Sequence, residues 1–181
     1  ETNKGLATTQ SRINTGLDVN STKDDSARYT IAQKLRGDVG GLKAVNSSLS
    51  RAKSTVDVAV AGAEQVSDLM NQMKSKVTEA SDGGLDTESR TAITADLNAL
   101  PKHVNSIIGS SQFNGTNLLK TDATATGKVW ALMSTSGTST LDVANIDLEA
   151  AFDTAVGGDS SADIALADAA AATKLKGTLE G

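Results

Sequence analysis

The sequence lacks cysteine altogether, contains one proline among its 181 residues, and is only 2% aromatic. The absence of cysteine excludes disulfide bonds and cysteine-ligated zinc sites. Because aromatic rings are so scarce, the core is expected to consist of Ala, Val, Leu and Ile, which suit narrow helical seams better than a wide globular core. His103 is the only histidine, so a histidine metal cluster is excluded, and no nucleophile motif accompanies it. We therefore expect a surface histidine and a protein without catalytic, cofactor or metal sites.

The charge balance and the length of the apolar runs exclude two further classes of protein. The chain has 17 Lys and Arg against 22 Asp and Glu, a net charge of -5, whereas nucleic-acid binding needs a clustered positive surface. The longest apolar stretch, around residues 58–63, is far too short to cross a bilayer. No segment has the pattern of a secretory signal peptide. We expect neither nucleic-acid binding nor membrane insertion, and we expect the natural N-terminus to lie upstream of Glu1.

The strongest signal is a heptad pattern between Leu42 and Ala80, in which apolar residues recur at alternating steps of three and four without exception. Polar and charged residues occupy most positions in between, as in a coiled-coil helix. We refer to the apolar positions as the seam, and they are Leu42, Val45, Leu49, Ala52, Val56, Ala59, Ala63, Val66, Met70, Met73, Val77 and Ala80.

The seam predicts one long first helix. Apolar residues at positions 27, 31 and 35 continue the stripe upstream, which extends the helix over residues 24–81, with polar side chains of residues 20–25 available as N-terminal caps. Gly83 or Gly84 is expected to end the helix in the left-handed conformation. Several glycines interrupt it, among them Gly40 and Gly62, each costing about 1 kcal/mol relative to Ala. Close packing of a neighbouring element would explain them.

A second helix is predicted over residues 87–108, where apolar residues again recur at heptad spacing. The short connection folds it back antiparallel on the first helix, and Pro101 is expected to kink or break it. The predicted fold class is therefore mainly α. It consists of the end of an N-terminal helix and a loop over residues 1–23, a rod of long antiparallel coiled-coil helices over residues 24–108, and a small outer region over residues 109–181.

The outer region is rich in Asn, Gly, Ser and Thr and has no helical period at its start. Alternating residues predict a β-hairpin with strands over residues 128–133 and 138–143. Short helices are predicted over residues 147–156 and 162–175. Trp130, in the first strand, is expected to fill a small hairpin core, although its ring could instead hold a sugar or a partner.

Four short stretches, in order and at matching separations, resemble bacterial flagellin, the subunit of the flagellar filament. They are residues 11–17 (SRINTGL), residues 23–27 (KDDSA) with Ile31 and Ala32, Gly41-Leu42 at the start of the seam, and residues 113–115 (FNG) followed by Leu118-Leu119. Together they cover residues 6–120. The remainder resembles the variable outer part of the family, and the whole chain is most similar to its shorter alphaproteobacterial members.

The resemblance implies a structural subunit that assembles with other flagellin subunits into an extracellular filament for swimming. It further implies export through the flagellar channel without a cleaved signal, an export chaperone and a filament cap as partners, and terminal segments that complete the coiled coil. Those segments are expected to be missing here, so half of the seam is expected to lack its partner. Two alternatives remain at this point: a hook-filament junction protein, and a flagellin-like surface protein that binds polysaccharide through Trp130 and residues 134–140.

The resemblance also points to two seam-adjacent positions. Many flagellins are bound by an animal Toll-like receptor through a pattern that reads Leu-Gln-Arg-x-Arg-Glu-Leu in the first long helix. Residues 70–76 (MNQMKSK) align with it, so Gln72 stands at the first arginine and Lys76 at the final leucine. Because Gln72 has no guanidinium fork and Lys76 brings a hydrated ammonium to an apolar contact, we expect this chain to escape the receptor.

Overall fold

The computed structural model describes residues 2–16, 26–121 and 128–180. Helices dominate, and two short pairs of strands follow the second long helix. In chain order the elements are α1 (Thr2–Thr15), α2 (Ser26–Ala80), α3 (Thr87–Ser110), β1 (Gln112–Phe113), β2 (Thr116–Asn117), β3 (Lys128–Leu132), β4 (Thr140–Ala144), α4 (Leu148–Val156) and α5 (Ala169–Glu180). The mainly α class predicted from the heptad pattern is confirmed.

The chain divides into two compact units. The first comprises residues 1–49 and 132–140, and the second comprises residues 50–131 and 141–181. In the first unit, the Ser48 hydroxyl of α2 accepts a hydrogen bond of 3.1 Å from the backbone N–H of Leu132, and Thr135 lies against Gly41. The second unit contains α3, β1, β2, α4, α5 and a continuous apolar core.

Helix α2 ends one residue before the predicted position, and α3 folds back beside it. The predicted start at residue 24 and the capping side chains of residues 20–25 lie outside the described residues. In the second unit, contacts along the two helices run in opposite directions, from Arg90 beside Ala80 to Lys76 beside Asp96. The antiparallel arrangement is therefore as predicted, and α3 extends two residues beyond the predicted end at residue 108.

The end of α2 corrects the prediction of a left-handed glycine, because neither Gly83 nor Gly84 has a positive φ angle. The Asp82 carboxylate instead accepts the backbone N–H of Gly84 at 2.9 Å. The buried guanidinium of Arg90 donates to the carbonyl oxygens of Ala80, Asp82 and Leu85. Arg90 therefore neutralises the negative end of the α2 dipole and fastens the turn to α3 in one contact.

The start of α3 is capped by Asp86, whose carboxylate accepts the backbone N–H of Ser89 at 2.7 Å. This hydrogen bond lowers the pKa of the Asp86 carboxyl, since it favours the charged form. Further along, α3 continues through Pro101. Of the two predicted effects of this proline, a kink or a break, the break does not occur. The Pro101 ring is fully buried, and its packing offsets the backbone hydrogen bond that proline cannot make.

The core of the second unit runs along the α2–α3 contact and continues into the outer region. It contains a single aromatic residue, Phe152 of α4, as the composition indicates. Its long side chains come from three places: α2, α3 and the segments after α3. The fully or largely buried members include Val66, Met73, Val77, Leu97, Val104, Ile108, Leu118, Leu119, Phe152, Leu175 and Leu179.

The outer region matches the predictions in part. The β3–β4 hairpin and helix α4 are confirmed, but β1 and β2 were not predicted. Helix α5 begins at Ala169 and not at residue 162, so that prediction is wrong at its start. Residues 160–164 are instead fastened to α3, because Asn98 binds both the N–H and the carbonyl of Ile164 and Asn105 binds the Ser160 hydroxyl.

The glycines of α2 have two different environments. A Cβ added at Gly62 would collide with the Ser111 hydroxyl and lie 2.9 Å from Leu119 Cδ1, so close packing explains this glycine. Gly37 and Gly40 have no atom within 4 Å of such a Cβ, so packing within the described chain does not explain them.

We predict opposite effects for two glycine-to-alanine changes in this one helix. Gly62→Ala should lower the free energy of unfolding by about 1–3 kcal/mol, because the added methyl displaces Ser111 and Leu119. Gly40→Ala, the matched control, should raise it by about 0.5–1 kcal/mol, because alanine restricts the unfolded chain and nothing opposes its methyl group. Urea unfolding followed by circular dichroism measures both. Equal effects at the two positions would contradict the close contact at Gly62.

Candidate functional site

The seam of α2 consists of two lines of residues that have different environments. One line, repeating every seven residues, is buried along its whole length: Val45, Ala52, Ala59, Val66, Met73 and Ala80. The other line is exposed at its start and becomes buried towards its end: Leu42, Leu49, Val56, Ala63, Met70 and Val77. The structure therefore separates predicted seam residues that the sequence pattern groups together.

The first line is buried because smaller residues beside it complete the packed face. Ser48, Thr55 and Gly62 are all buried and also repeat every seven residues. The Thr55 hydroxyl donates to the Arg51 carbonyl at 3.0 Å, which removes the cost of burying it. A pattern of apolar residues does not include Ser48, Thr55 and Gly62. Their regular spacing as small residues is the sequence signal that would reveal them.

The second line shows a gradient of exposure along the helix. Leu42 is 59% exposed and Leu49 is 39% exposed, whereas Val56, Ala63 and Met70 are half-buried and Val77 is fully buried. Further exposed aliphatic side chains lie nearer the start of α2, at Ile31, Leu35 and Val39. Such a contiguous apolar surface on a helix is typical of a binding or assembly face. We call residues 31, 35, 39, 42 and 49 the open stripe.

The two positions aligned with the receptor pattern lie one turn apart on α2. Gln72 is exposed, and the Lys76 ammonium lies 3.1 Å from the Asp96 carboxylate of α3. Both residues line a groove of about 370 Å³ together with Ser75, Asp96, Ala99 and Leu100. This solvent-exposed ion pair contributes little to stability, roughly 0–1 kcal/mol, but it places two opposite charges at the groove.

The remaining candidates from the sequence are exposed. His103 lies on the surface of α3, as predicted. Trp130 is 57% exposed, because its neighbours Val129 and Ala131 point into the core, so the expectation of a buried tryptophan is wrong. At the tip of the same hairpin the hydroxyls of Ser134, Ser136 and Thr138 bind one another at 2.8 Å.

The described residues contain neither a metal-binding cluster nor a membrane-spanning helix. Residues 2–16, 26–121 and 128–180 include no group of three or more His, Asp or Glu side chains placed to hold a metal ion. No helix among them combines the length and the apolar character that crossing a membrane would require.

Comparisons with known proteins agree on one family. Residues 1–124 match the family described as the bacterial flagellin N-terminal helical region. Flagellin FljM of Caulobacter vibrioides is 37% identical over 117 residues, which are 65% of this chain and 43% of that protein. Flagellin A of Rhizobium meliloti is 33% identical over 114 residues, 63% of this chain and 28% of that protein. The chain thus spans less than half the length of these relatives.

A solved structure supports the fold. The crystal structure of Bacillus cereus flagellin superposes with a TM-score of 0.58, covering 72% of this chain and 71% of that chain, at 21% sequence identity. At this level of identity the match concerns the architecture of the helices only.

The burial difference within α2 gives a prediction about stability. Val66→Asp should lower the free energy of unfolding by about 3 kcal/mol or more, because it leaves an unpaired carboxylate in the core. Lys53→Asp, on the exposed face, should lower the free energy of unfolding by less than about 1 kcal/mol. This change removes the Lys53–Asp57 ion pair and places two negative charges one helical turn apart, and both effects are small at an exposed position. Thermal unfolding of both variants tests this, and equal melting temperatures would show that the buried line is misassigned.

Proposed function

Since the chain belongs to the bacterial flagellin family, we propose that it forms the helical part of a structural subunit of the flagellar filament. The observation that carries this proposal is the open stripe, an exposed apolar surface on a helix whose residues from Val45 onward already pack against the described chain. A structural role fits the absence of any catalytic motif in the sequence. Filament assembly would place the protein outside the cell, on the bacterial flagellum.

The open stripe suggests what the subunit binds. Three of its residues, Leu35, Leu42 and Leu49, are spaced by seven, and Ile31 and Val39 flank them, so the surface that fits them is another helix with a complementary apolar line. The curated relatives are more than twice as long as the matched part of this chain, and their additional length is of the size that further helices would need. We propose that such a helix and neighbouring flagellin subunits bury the stripe.

The route to the filament follows from the same family. We propose export through the flagellar channel without a cleaved signal, with an export chaperone before assembly and a filament cap at its end. The lack of cysteine supports this proposal, because no disulfide would need to form before or after passage of an unfolded chain.

The two alternative functions are not favoured. A hook-filament junction protein would fit the helices equally well, but the similar proteins reported above are flagellins. Polysaccharide binding through Trp130 and residues 134–140 rests on an exposed ring and a row of hydroxyls that already bind one another.

Assembly provides the test of the proposed function. Residues 1–181 alone should sediment as a monomer at rising concentration, whereas a full-length protein containing them should form filaments visible by electron microscopy. Changing both Leu42 and Leu49 to Asp in the full-length protein should abolish filaments without unfolding residues 1–181, because both side chains are exposed there. Lys53→Asp is the control that should assemble. Long reversible polymers of residues 1–181, or normal filaments from the double variant, would refute the proposal.

We further propose that this flagellin escapes the animal Toll-like receptor. Gln72 offers no guanidinium, and the Lys76 ammonium pairs with Asp96 at the groove where the family pattern has a leucine. Losing one interface anchor costs about 2 kcal/mol or more, so two losses correspond to roughly a thousandfold in affinity if they are additive.

A receptor reporter assay on the full-length protein tests this escape. Changing Gln72 to Arg together with Lys76 to Leu should raise activation, because both anchors are restored. Gln65→Arg, which adds the same charge at another exposed position of α2, should have no effect. Activation by the unchanged protein at the level of an enterobacterial flagellin would contradict the proposal.

A further inference from the structure

The turn between β1 and β2 contains the only Asn-Gly step in the sequence, Asn114-Gly115. The strands pair Gln112 with Asn117 and Phe113 with Thr116, so these two residues alone form the turn. Asn114 has a φ of 50° and Gly115 a φ of 80°, the left-handed pair that a tight hairpin of this length requires. Asn114 is the one residue other than glycine with a positive φ among those described.

The chemical groups of this turn are open to solvent. Asn114 and Gly115 are both exposed, and no atom lies within 4 Å of the position that a Cβ on Gly115 would occupy. The carboxamide of Asn114 has no hydrogen-bond partner within the described part of the chain. Glycine at the following position also removes the side chain that would otherwise hinder an approach to the carboxamide carbon.

We propose that Asn114 is a site of spontaneous deamidation that converts it to aspartate and isoaspartate. The peptide nitrogen of Gly115 loses its proton and bonds to Cγ of Asn114, the bond from Cγ to Nδ2 breaks, and ammonia leaves with the proton. Water then adds to one carbonyl of the resulting succinimide ring. Cleavage of the bond from nitrogen to Cγ gives aspartate, and cleavage of the bond from nitrogen to the main-chain carbonyl carbon gives isoaspartate.

The shortness of the hairpin lets the reaction proceed in the folded protein. Ring closure requires the peptide nitrogen to rotate towards Cγ, which the tight turn opposes. Each strand has only two residues, so local opening costs far less than global unfolding. Asn105 is protected by comparison, because it lies within α3 and its carboxamide binds the Ser160 hydroxyl. Asn117 is protected because its side chain binds Ile108 and Leu119.

The product would alter the contacts next to the turn. Either product adds a negative charge. Isoaspartate also adds one atom to the main chain, which changes the geometry of a turn that contains only two residues. The pairing of Gln112 with Asn117 then shifts. Asn117 donates to the Ile108 carbonyl at the end of α3 at 2.6 Å and accepts the Leu119 N–H at 2.8 Å, so loss of the register loosens both contacts.

The experiment is peptide mapping after incubation of the folded protein of residues 1–181 at neutral and mildly alkaline pH. Cleavage after Lys102 and Lys120 yields one peptide that contains Asn105, Asn114 and Asn117, and fragmentation by mass spectrometry assigns the modified residue. Aspartate and isoaspartate should accumulate at position 114 well before the other two, and faster at higher pH, because the nucleophile is the deprotonated peptide nitrogen. An intact Asn114, or equal conversion at all three positions, would overturn the proposal.

Two variants separate the chemistry from its structural effect. Incubated protein should show an acidic species on ion exchange, and Asn114→Gln should not, because its longer side chain does not form the five-membered ring. Asn114→Asp supplies the charge of the products with the normal main chain. Incubated protein enriched in isoaspartate should therefore melt below Asn114→Asp, and equal melting temperatures would contradict the loosening of the α3 end.

Discussion

The structure depends on the need of one 55-residue helix, α2, to bury its apolar residues. At 1.5 Å per residue the helix is roughly 80 Å long, and no helix of this length buries its own side chains. Folding α3 back along its C-terminal part covers one line of the seam, and Arg90 fixes the fold-back point by binding three carbonyl oxygens at the turn. The outer region packs on α3 through Asn98 and Asn105, whose side chains bind Ile164 and Ser160. Because α3 is fixed against α2, these two side chains are held in position for those contacts.

The long helices were predictable because periodicity is a strong signal when it persists over many turns. The boundaries of α3 and α4 were also close to the predicted ones, and in the structure Asp86 and Asp147 cap the two helices. The wrong start of α5 has a tertiary cause: Asn98 holds the backbone of Ile164, 66 residues away, which no local pattern reveals. The β1–β2 hairpin was missed although Asn114-Gly115 is a strong turn signal, because each strand is too short to show alternation.

The sequence could not predict which of the two seam lines is buried within the chain, and the reason differs from the one given for α5. A heptad pattern identifies which side chains are apolar, but not which of the two lines meets a partner within the chain. That choice accompanies small buried residues on one flank: Leu132 bonds to Ser48, and Ser111 and Leu119 lie against Gly62. Small and polar residues on one flank and larger aliphatic residues on the other thus direct one helix to two partners, one within the described chain and one, as we propose, beyond it.

The position of Trp130 determines how this protein can be observed in solution. It is the only tryptophan, it lies on the outer face of the β3–β4 hairpin, and the α2–α3 core contains no ring that absorbs near 280 nm. Its fluorescence therefore reports on the hairpin surface, and it senses melting of the helix pair only through Val129 and Ala131, which pack into the core on either side of it. The aliphatic packing of α2 against α3 gives no signal near 280 nm and is followed instead by far-ultraviolet dichroism or amide exchange.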